Sequence, residues 1–220
     1  VVGDNLVVEE KGLYSIEKFL IARRIMYWQV YLHKTVVAAE VMLIKVFERA
    51  KLLVENGWEP AISPALYQIL RKPLDSDSFK TARDQNLKLF ASIDDYDIVM
   101  AMKVFAESFD RVLSFLSNSL LNRNIFRLKF YDDAIEESTK QAWIDLAKEA
   151  LHLTDEEAAY LVTVGVESNS TYNRAKNEIK ILFKSGEVKP MSECFHFDFL
   201  PGRMEKFYIV YPKFLEHPTL

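Results

Sequence analysis

The stretch ARRIMYWQVYLHKT, residues 22–35, sets two cations at the ends of an apolar run, Arg23 and Lys34, with Tyr27, Tyr31 and His33 between them. A guanidinium grips phosphate through paired N–H donors, an ammonium adds a point charge, and a phenol offers a ring face and a hydroxyl. Together they suit an anion that also carries a sugar or a flat base. On a continuous helix turning roughly 100° per residue, Tyr27 lies about 40°, Tyr31 about 80° and Lys34 about 20° around from Arg23. His33 points away, about 100° from Lys34. Arg23 and Lys34 would stand about 16 Å apart along the axis, the length of an extended nucleoside triphosphate. The same spacing also describes a core helix in which Tyr27 and Tyr31 pack inward while Arg23 and Lys34 snorkel to water. Periodicity alone leans toward that packing.

Other groups that could do chemistry are harder to assemble. The acids Asp94, Asp95 and Asp97 of IDDYD suggest a metal site, but acids at a helix start more often satisfy free backbone N–H groups. Asp75 and Asp77 open like a calcium loop, yet the sixth position holds no glycine and Asn86 replaces the closing glutamate. The histidines His33, His152, His196 and His217 follow no metal-binding spacing, and His196 with Asp198 makes only a pair. The six glycines form neither a dinucleotide fingerprint nor a P-loop, and no nucleophile elbow is present.

The elements that must position the segment follow from hydrophobic period. From Leu13 to about Asn56 apolar residues recur at helical spacing, with Ser15 as a candidate N-cap and ENG as the stop. This predicts one very long helix, or two that continue through a kink. Ser63-Pro64 opens a short helix that ends before Pro73, and residues 75–86 form a polar connector or a connector with a first helical turn. Asp94 or Asp95 caps a helix to about Phe109, with a further turn or two to Leu121. Beyond Arg123, NIFRLKFYDD alternates like a strand, Ile125, Arg127 and Lys129 opposing Phe126, Leu128 and Phe130. An amphipathic helix follows, with Ile135, Ala142, Trp143, Leu146 and Leu151 inward, and Thr154 with Glu157 forms a capping box. YLVTVGVE, EIKILFK, GEVKPM and KFYIVYPKF are strand-like, with Ser185-Gly186 as a hairpin turn. The expected fold is mainly α: a helical part over 1–122, then a small α+β lobe with an antiparallel sheet over 123–220.

With 220 residues, half of them hydrophobic, the chain can bury a substantial core. Its net charge of −4 argues against nucleic-acid binding through overall charge. The single cysteine, Cys194, excludes an internal disulfide and fits a reducing, cytoplasmic setting. No apolar run reaches the ~18–20 residues of a membrane span, and the acidic start has no signal-like cleavage site. The chain opens on Val rather than Met, so a piece of a longer protein is expected.

GLYSIEKFLIARRIMYWQVYLHKTVVAAEVML resembles the segment that follows the metal site in HD-domain phosphohydrolases of the deoxynucleoside triphosphate triphosphohydrolase type and in bacterial HD-superfamily hydrolases. SIDDYDIVMAMK, NRNIFRLKF, TYNRAKNEIKILFKSGEV and FYIVYPK continue the resemblance in order over nearly the whole chain, and Y-x-x-x-Y-x-H-K is its most specific element. The resemblance implies helices of an HD-type core followed by a small sheet-bearing lobe. It also implies that Arg23 touches substrate phosphates and Tyr31 lies against the deoxyribose. Tyr27 is a histidine in some relatives, so Tyr27 and His33 are expected to pack. In the sterile-alpha-motif relative a regulatory nucleotide sits at a subunit interface, on basic residues matching Lys34, Arg123, Lys213 and, as Arg for Lys, Arg127.

The departure from the family is its defining metal set: no His-Asp dipeptide occurs here. The expectation is therefore the C-terminal part of a metal-dependent phosphohydrolase acting on nucleotides, with no catalytic or metal-ligating residue of its own. Arg23, Tyr27, Tyr31 and Lys34 would line the substrate, and Lys34, Arg123, Arg127 and Lys213 a regulatory nucleotide. The divalent metal would be held by an upstream HD segment, and the intact protein would form a homo-oligomer. The alternative is a non-enzymatic nucleotide-sensing or protein-interaction module.

Overall fold

The computed structural model describes residues 1–3, 5–72, 82–169, 178–194 and 204–216. The candidate calcium loop at Asp75 and Asp77, the His196–Asp198 pair and His217 lie outside them. The helices are α1 (Leu13–Met26), α2 (Lys34–Glu55), α3 (Pro64–Arg71), α4 (Arg83–Ala91), α5 (Asp95–Ala106), α6 (Arg111–Leu121), α7 (Glu137–Leu151) and α8 (Asp155–Ala159). The strands are β1 (Val7–Glu9), β2 (Arg127–Tyr131), β3 (Thr163–Asn169), β4 (Lys180–Leu182), β5 (Val188–Pro190) and β6 (Met204–Tyr211). The architecture is mainly helical with a small lobe that contains an antiparallel sheet.

Short polar side chains start several helices by accepting the orphan N–H groups of the first turn. Ser63 Oγ accepts from Leu66 N, with Pro64 in the first turn of α3. Asp94 accepts from Tyr96 N at 2.8 Å and Asp97 N at 3.3 Å, while Asp97 accepts from Asp94 N at 3.0 Å, a capping box that accounts for two of the three IDDYD acids. Thr154 and Glu157 form the second such box, at the start of α8. Asp110 caps α6, accepting from Leu113 N at 2.8 Å. That cap makes α6 a full helix of its own, where the sequence suggested a turn or two continuing from Phe109. Gly12, not Ser15, precedes α1, and it offers no side-chain cap.

Of the two readings of residues 13–56, one very long helix or two that continue through a kink, the structure has the second. After α1 the backbone widens into a π turn over Tyr27–Tyr31, and Leu32 N donates to Tyr27 O at 2.7 Å. At His33 the backbone becomes extended (φ −64°, ψ 133°), and α2 then starts afresh. The helical turn offered at the end of the connector is the start of α4, whose Leu87 and Phe90 stay exposed. In α7 and just before it, Ile135, Trp143 and Leu151 pack on the core as expected, with Ile144 and Ala147 buried beside them, while Ala142 and Leu146, expected inward, are exposed.

The main core runs from α2 (Val37, Ala38, Val41, Met42, Val46, Ala50) through Phe105 and α6 (Val112, Leu113, Leu116) to Leu128 of β2 and Ile209–Tyr211 of β6. Trp58 and Phe47 set their rings against Phe105. β6 is the middle strand of an antiparallel sheet ordered β2-β6-β3, with Leu128 opposite Val210 and Val164 opposite Ile209. Gly165 leaves room there: a Cβ would come within 2.4 Å of the Tyr208 ring.

A second, smaller core joins α1 to the other sheet, ordered β1-β4-β5, in which β1 runs parallel to β4 and β4 antiparallel to β5. Leu13 and Leu20 meet Ile181 and Met191, flanked by Val8, Ile16, Ile179 and Phe183. Gly186, at φ +85°, turns β4 into β5 as the sequence indicated. This packing holds α1, and with it Arg23, in place.

Candidate functional site

Leu20 is the deepest apolar anchor of α1, and the residues beyond it emerge toward solvent. Arg23 stands there, exposed, with Nη2 donating to Tyr27 Oη at 3.3 Å and Cζ 5.2 Å from the Tyr27 ring centroid. The Tyr27 and Tyr31 rings follow with centroids 5.0 Å apart, tilted by 47°. Arg23, Tyr27 and Tyr31 thus form a ladder of one guanidinium and two phenols along α1 and the π turn. Tyr27 is half-buried and Tyr31 half-exposed, so neither ring belongs to a core. A cation with its fork open to solvent, beside ring faces, can meet phosphate and a sugar or base together.

Lys34 does not extend this ladder on one helix. The break at Leu32–His33 removes the continuous turn on which its alignment with Arg23 depended, and Lys34 occupies the first turn of α2 instead. His33 does not pack either: it is exposed, and its Nδ1 accepts from Thr35 N at 3.3 Å as the N-cap of α2. The imidazole replaces the usual Ser or Asp at that position, which is why spacing rules did not identify it.

Of the second basic set, Arg123 is exposed at a left-handed position (φ 58°) closing α6, and Lys213 is exposed on the 3₁₀ turn Lys213–Glu216. Arg127 is already engaged: Nε lies 3.2 Å from Glu216 Oε2. Lys129, one strand step further on the same face of β2, places Nζ 2.8 Å from Glu216 Oε1, and Tyr211 Oη donates to the same oxygen at 2.7 Å. The Lys129 ammonium beside it, with the Tyr211 hydroxyl, holds the Glu216 carboxyl down at about 2. Lys129 itself is raised by Glu216 and Tyr211. Alternation along β2 pairs Arg127 with Lys129, so that half of the cluster was legible; Glu216, distant in sequence, was not.

The deepest ion pair is structural. Arg49 forks onto Asp110, Nε at 3.1 and 3.2 Å from the two oxygens and Nη2 at 2.6 Å. Only 12% and 8% of these side chains are exposed, and the guanidinium also lies 5.2 Å from the Tyr160 centroid. Among the described residues no group of three or more His, Cys, Asp or Glu side chains could hold a metal ion. Asp94 and Asp97 are spent on capping, His33 on α2, and His152 sits in the left-handed cap of α7. The described donors therefore do not fit a catalytic metal. No helix among the described residues is long and apolar enough to cross a membrane.

Residues 1–59, which include the Arg23–Tyr31 ladder, match the family model described as the HD associated region. A phosphohydrolase of known structure from Bacteroides thetaiotaomicron is 40% identical with a TM-score of 0.88, over 96% of this chain and 53% of its own. A hypothetical protein from Aquifex aeolicus, 18% identical with a TM-score of 0.56 over 98% of this chain and 47% of its own, shares the fold. The proteins YwfO of Bacillus subtilis and MG461 of Mycoplasma genitalium are 26% and 28% identical, each over 86% of this chain. The chain spans 42% and 44% of their lengths. The chain is thus similar to the HD associated region over residues 1–59 and to a phosphohydrolase over 96% of its length.

Proposed function

We propose that this chain forms the substrate-facing wall of an HD-superfamily phosphohydrolase whose substrates are nucleotides, (deoxy)nucleoside triphosphates in particular. The observation that carries the reading is the 40% identical phosphohydrolase, matched over 96% of the chain. The exposed ladder of Arg23, Tyr27 and Tyr31 supplies the chemistry to go with it. In this reading Arg23 swings from Tyr27 Oη to a phosphate oxygen. The Tyr31 ring lies against the sugar, and Tyr27, half-buried, backs the guanidinium. Lys34, at the start of α2, adds positive charge beside them.

Because the described donors do not fit a metal, cleavage itself is assigned to the part of the relatives' length that this chain does not span. Phe19 and Met26 of α1 and Val30 of the π turn are exposed apolar residues near the ladder, and further polypeptide could cover them. A thermal-shift panel of nucleotides tests the proposal. A nucleoside triphosphate should raise the melting temperature of the wild type and fail to do so for Arg23→Ala. Shifts left unchanged by Arg23→Ala would overturn the assignment. So would hydrolysis by the 220-residue chain with stoichiometric metal, since it would place the metal site within this chain.

A further inference from the structure

One face of α6 carries Arg111, Ser114, Phe115 and Asn118 at helical spacing, and all four line a cavity of about 390 Å³. Across it stand Leu161 and, on either side of left-handed His152 (φ 52°), Leu151 and Leu153. Val112 and Leu161 are almost fully buried, so the floor is apolar. Apolar walls, that size and a few fixed polar groups are what small-molecule sites have in common.

The polar groups are held by the main chain. Arg111 Nη2 donates to Leu151 O at 2.9 Å and Nη1 to His152 O at 3.4 Å, so carbonyls at the end of α7 steady the guanidinium. Among the described residues no carboxylate pairs with it. Carbonyls leave its charge in place, and Nε with the outer Nη protons still has donors to give. Asn118 Nδ2 donates to Ala106 O and to Ser114 O, both at 3.0 Å. Those two acceptors fix which way the amide faces and leave Oδ1 to accept. Ser114 Oγ already donates to Ala106 O at 2.6 Å. Seven residues of helix set Arg111 and Asn118 roughly 10 Å apart along the axis. A cation at one end, an acceptor at the other and apolar walls between them define the ligand.

We propose that this cavity binds a small apolar monocarboxylate with a hydroxyl at its far end, a phenolic acid being the class that fits. The carboxylate takes the remaining Arg111 donors as a charge-assisted pair, and the hydroxyl donates to Asn118 Oδ1. The ring between them lies against Phe115, Leu151 and Leu153. One guanidinium matches one negative charge. A phosphate monoester would bring a second charge against apolar walls with no partner for it, which is unfavourable. The site uses neither Arg23 nor the basic residues of β2 and does not depend on the substrate reading.

The probe is 4-hydroxycinnamate, titrated by calorimetry into the full chain carrying Arg23→Ala, so that the ladder does not report. 4-Hydroxycinnamyl alcohol, which lacks the carboxylate, should bind roughly tenfold or more weakly, the value of one charge-assisted contact. Cinnamate, which lacks the hydroxyl, should lose roughly threefold to tenfold. Adding Arg111→Gln should weaken the acid but not the alcohol, so that the two bind alike. A purely structural role for Arg111 would not remove that discrimination, and thermal melts check that the variant folds. The two analogue arms need no change at Arg111. The proposal is overturned if the acid shows no binding at millimolar concentration, or if either analogue binds as tightly as the acid. It is equally overturned if the preference for the acid survives Arg111→Gln, or if phenyl phosphate binds more tightly than the acid. Its failure would leave the Arg23 assignment untouched, because every titration is made without Arg23.

Discussion

Three side chains at the end of α1 and three around Glu216 show how the same residue types take different duties from their surroundings. Arg23 leans on one phenol and faces solvent, whereas Arg49 is enclosed and forks onto Asp110. Burial pushes the Asp110 carboxyl up, but the Arg49 guanidinium and the Leu113 N–H outweigh it and hold the group below the ordinary carboxylate range. Removing one partner strands the other charge inside the protein. Asp110→Ala should therefore lower stability by roughly 3–5 kcal/mol in urea denaturation, a larger loss than an exposed ion pair gives. A change no greater than that of Lys51→Ala, whose partner Glu55 is exposed, would contradict the burial argument. Glu216 adds a pH signature. Its carboxyl is depressed to about 2 from 4.5, so its contribution is complete above 4.5 and disappears as pH falls toward 2. Acid titration of Glu216→Gln, followed by circular dichroism, should lack that part of the slope.

At the scale of elements, two predictions test packing against sequence pattern. A methyl group on Gly165 would collide with the Tyr208 ring where β3 crosses β6. Gly165→Ala should cost roughly 1–3 kcal/mol, an overpacking penalty, read as a lower unfolding midpoint. Thr154→Ala, which opens the capping box of α8, should cost only about 1 kcal/mol. Equal effects of the two would refute the overpacking account. The caps at Ser63, Asp94 and Thr154 and the turn at Gly186 were legible in the sequence because each is local, one side chain answering a backbone group a few residues away. The break after α1 was legible only as one of two readings, a kink; its form, a π turn followed by an extended His33, was not. Its apolar spacing continues through Tyr31, and the π turn is set by backbone hydrogen bonding that leaves no mark in composition. On α7 and just before it the expected inward residues Ile135, Trp143 and Leu151 do pack against the core, whereas Ala142 and Leu146 are exposed and Ile144 and Ala147 are buried in their place.

For the whole molecule, the two cores divide the labour. The larger one binds α2, α3, α5, α6 and α7 to the β2-β6-β3 sheet, while the smaller one clasps α1 against β1-β4-β5. The ladder lies just past the α1 anchor, and the Glu216 ion cluster lies on the sheet of the main core. The adjacency of Arg23, Tyr27 and Tyr31 was readable from sequence; the shape around them was not. Lys34 belongs to the next helix, and His33 is its cap. The most direct test of the central claim is calorimetric binding of a nucleoside triphosphate to the wild type, to Arg23→Ala and to Lys18→Ala, an exposed cation of α1 off the ladder. The account predicts a loss of roughly tenfold to a hundredfold for Arg23→Ala, the value of one charge-assisted phosphate contact, and no change for Lys18→Ala. Equal affinity of the two variants would contradict it.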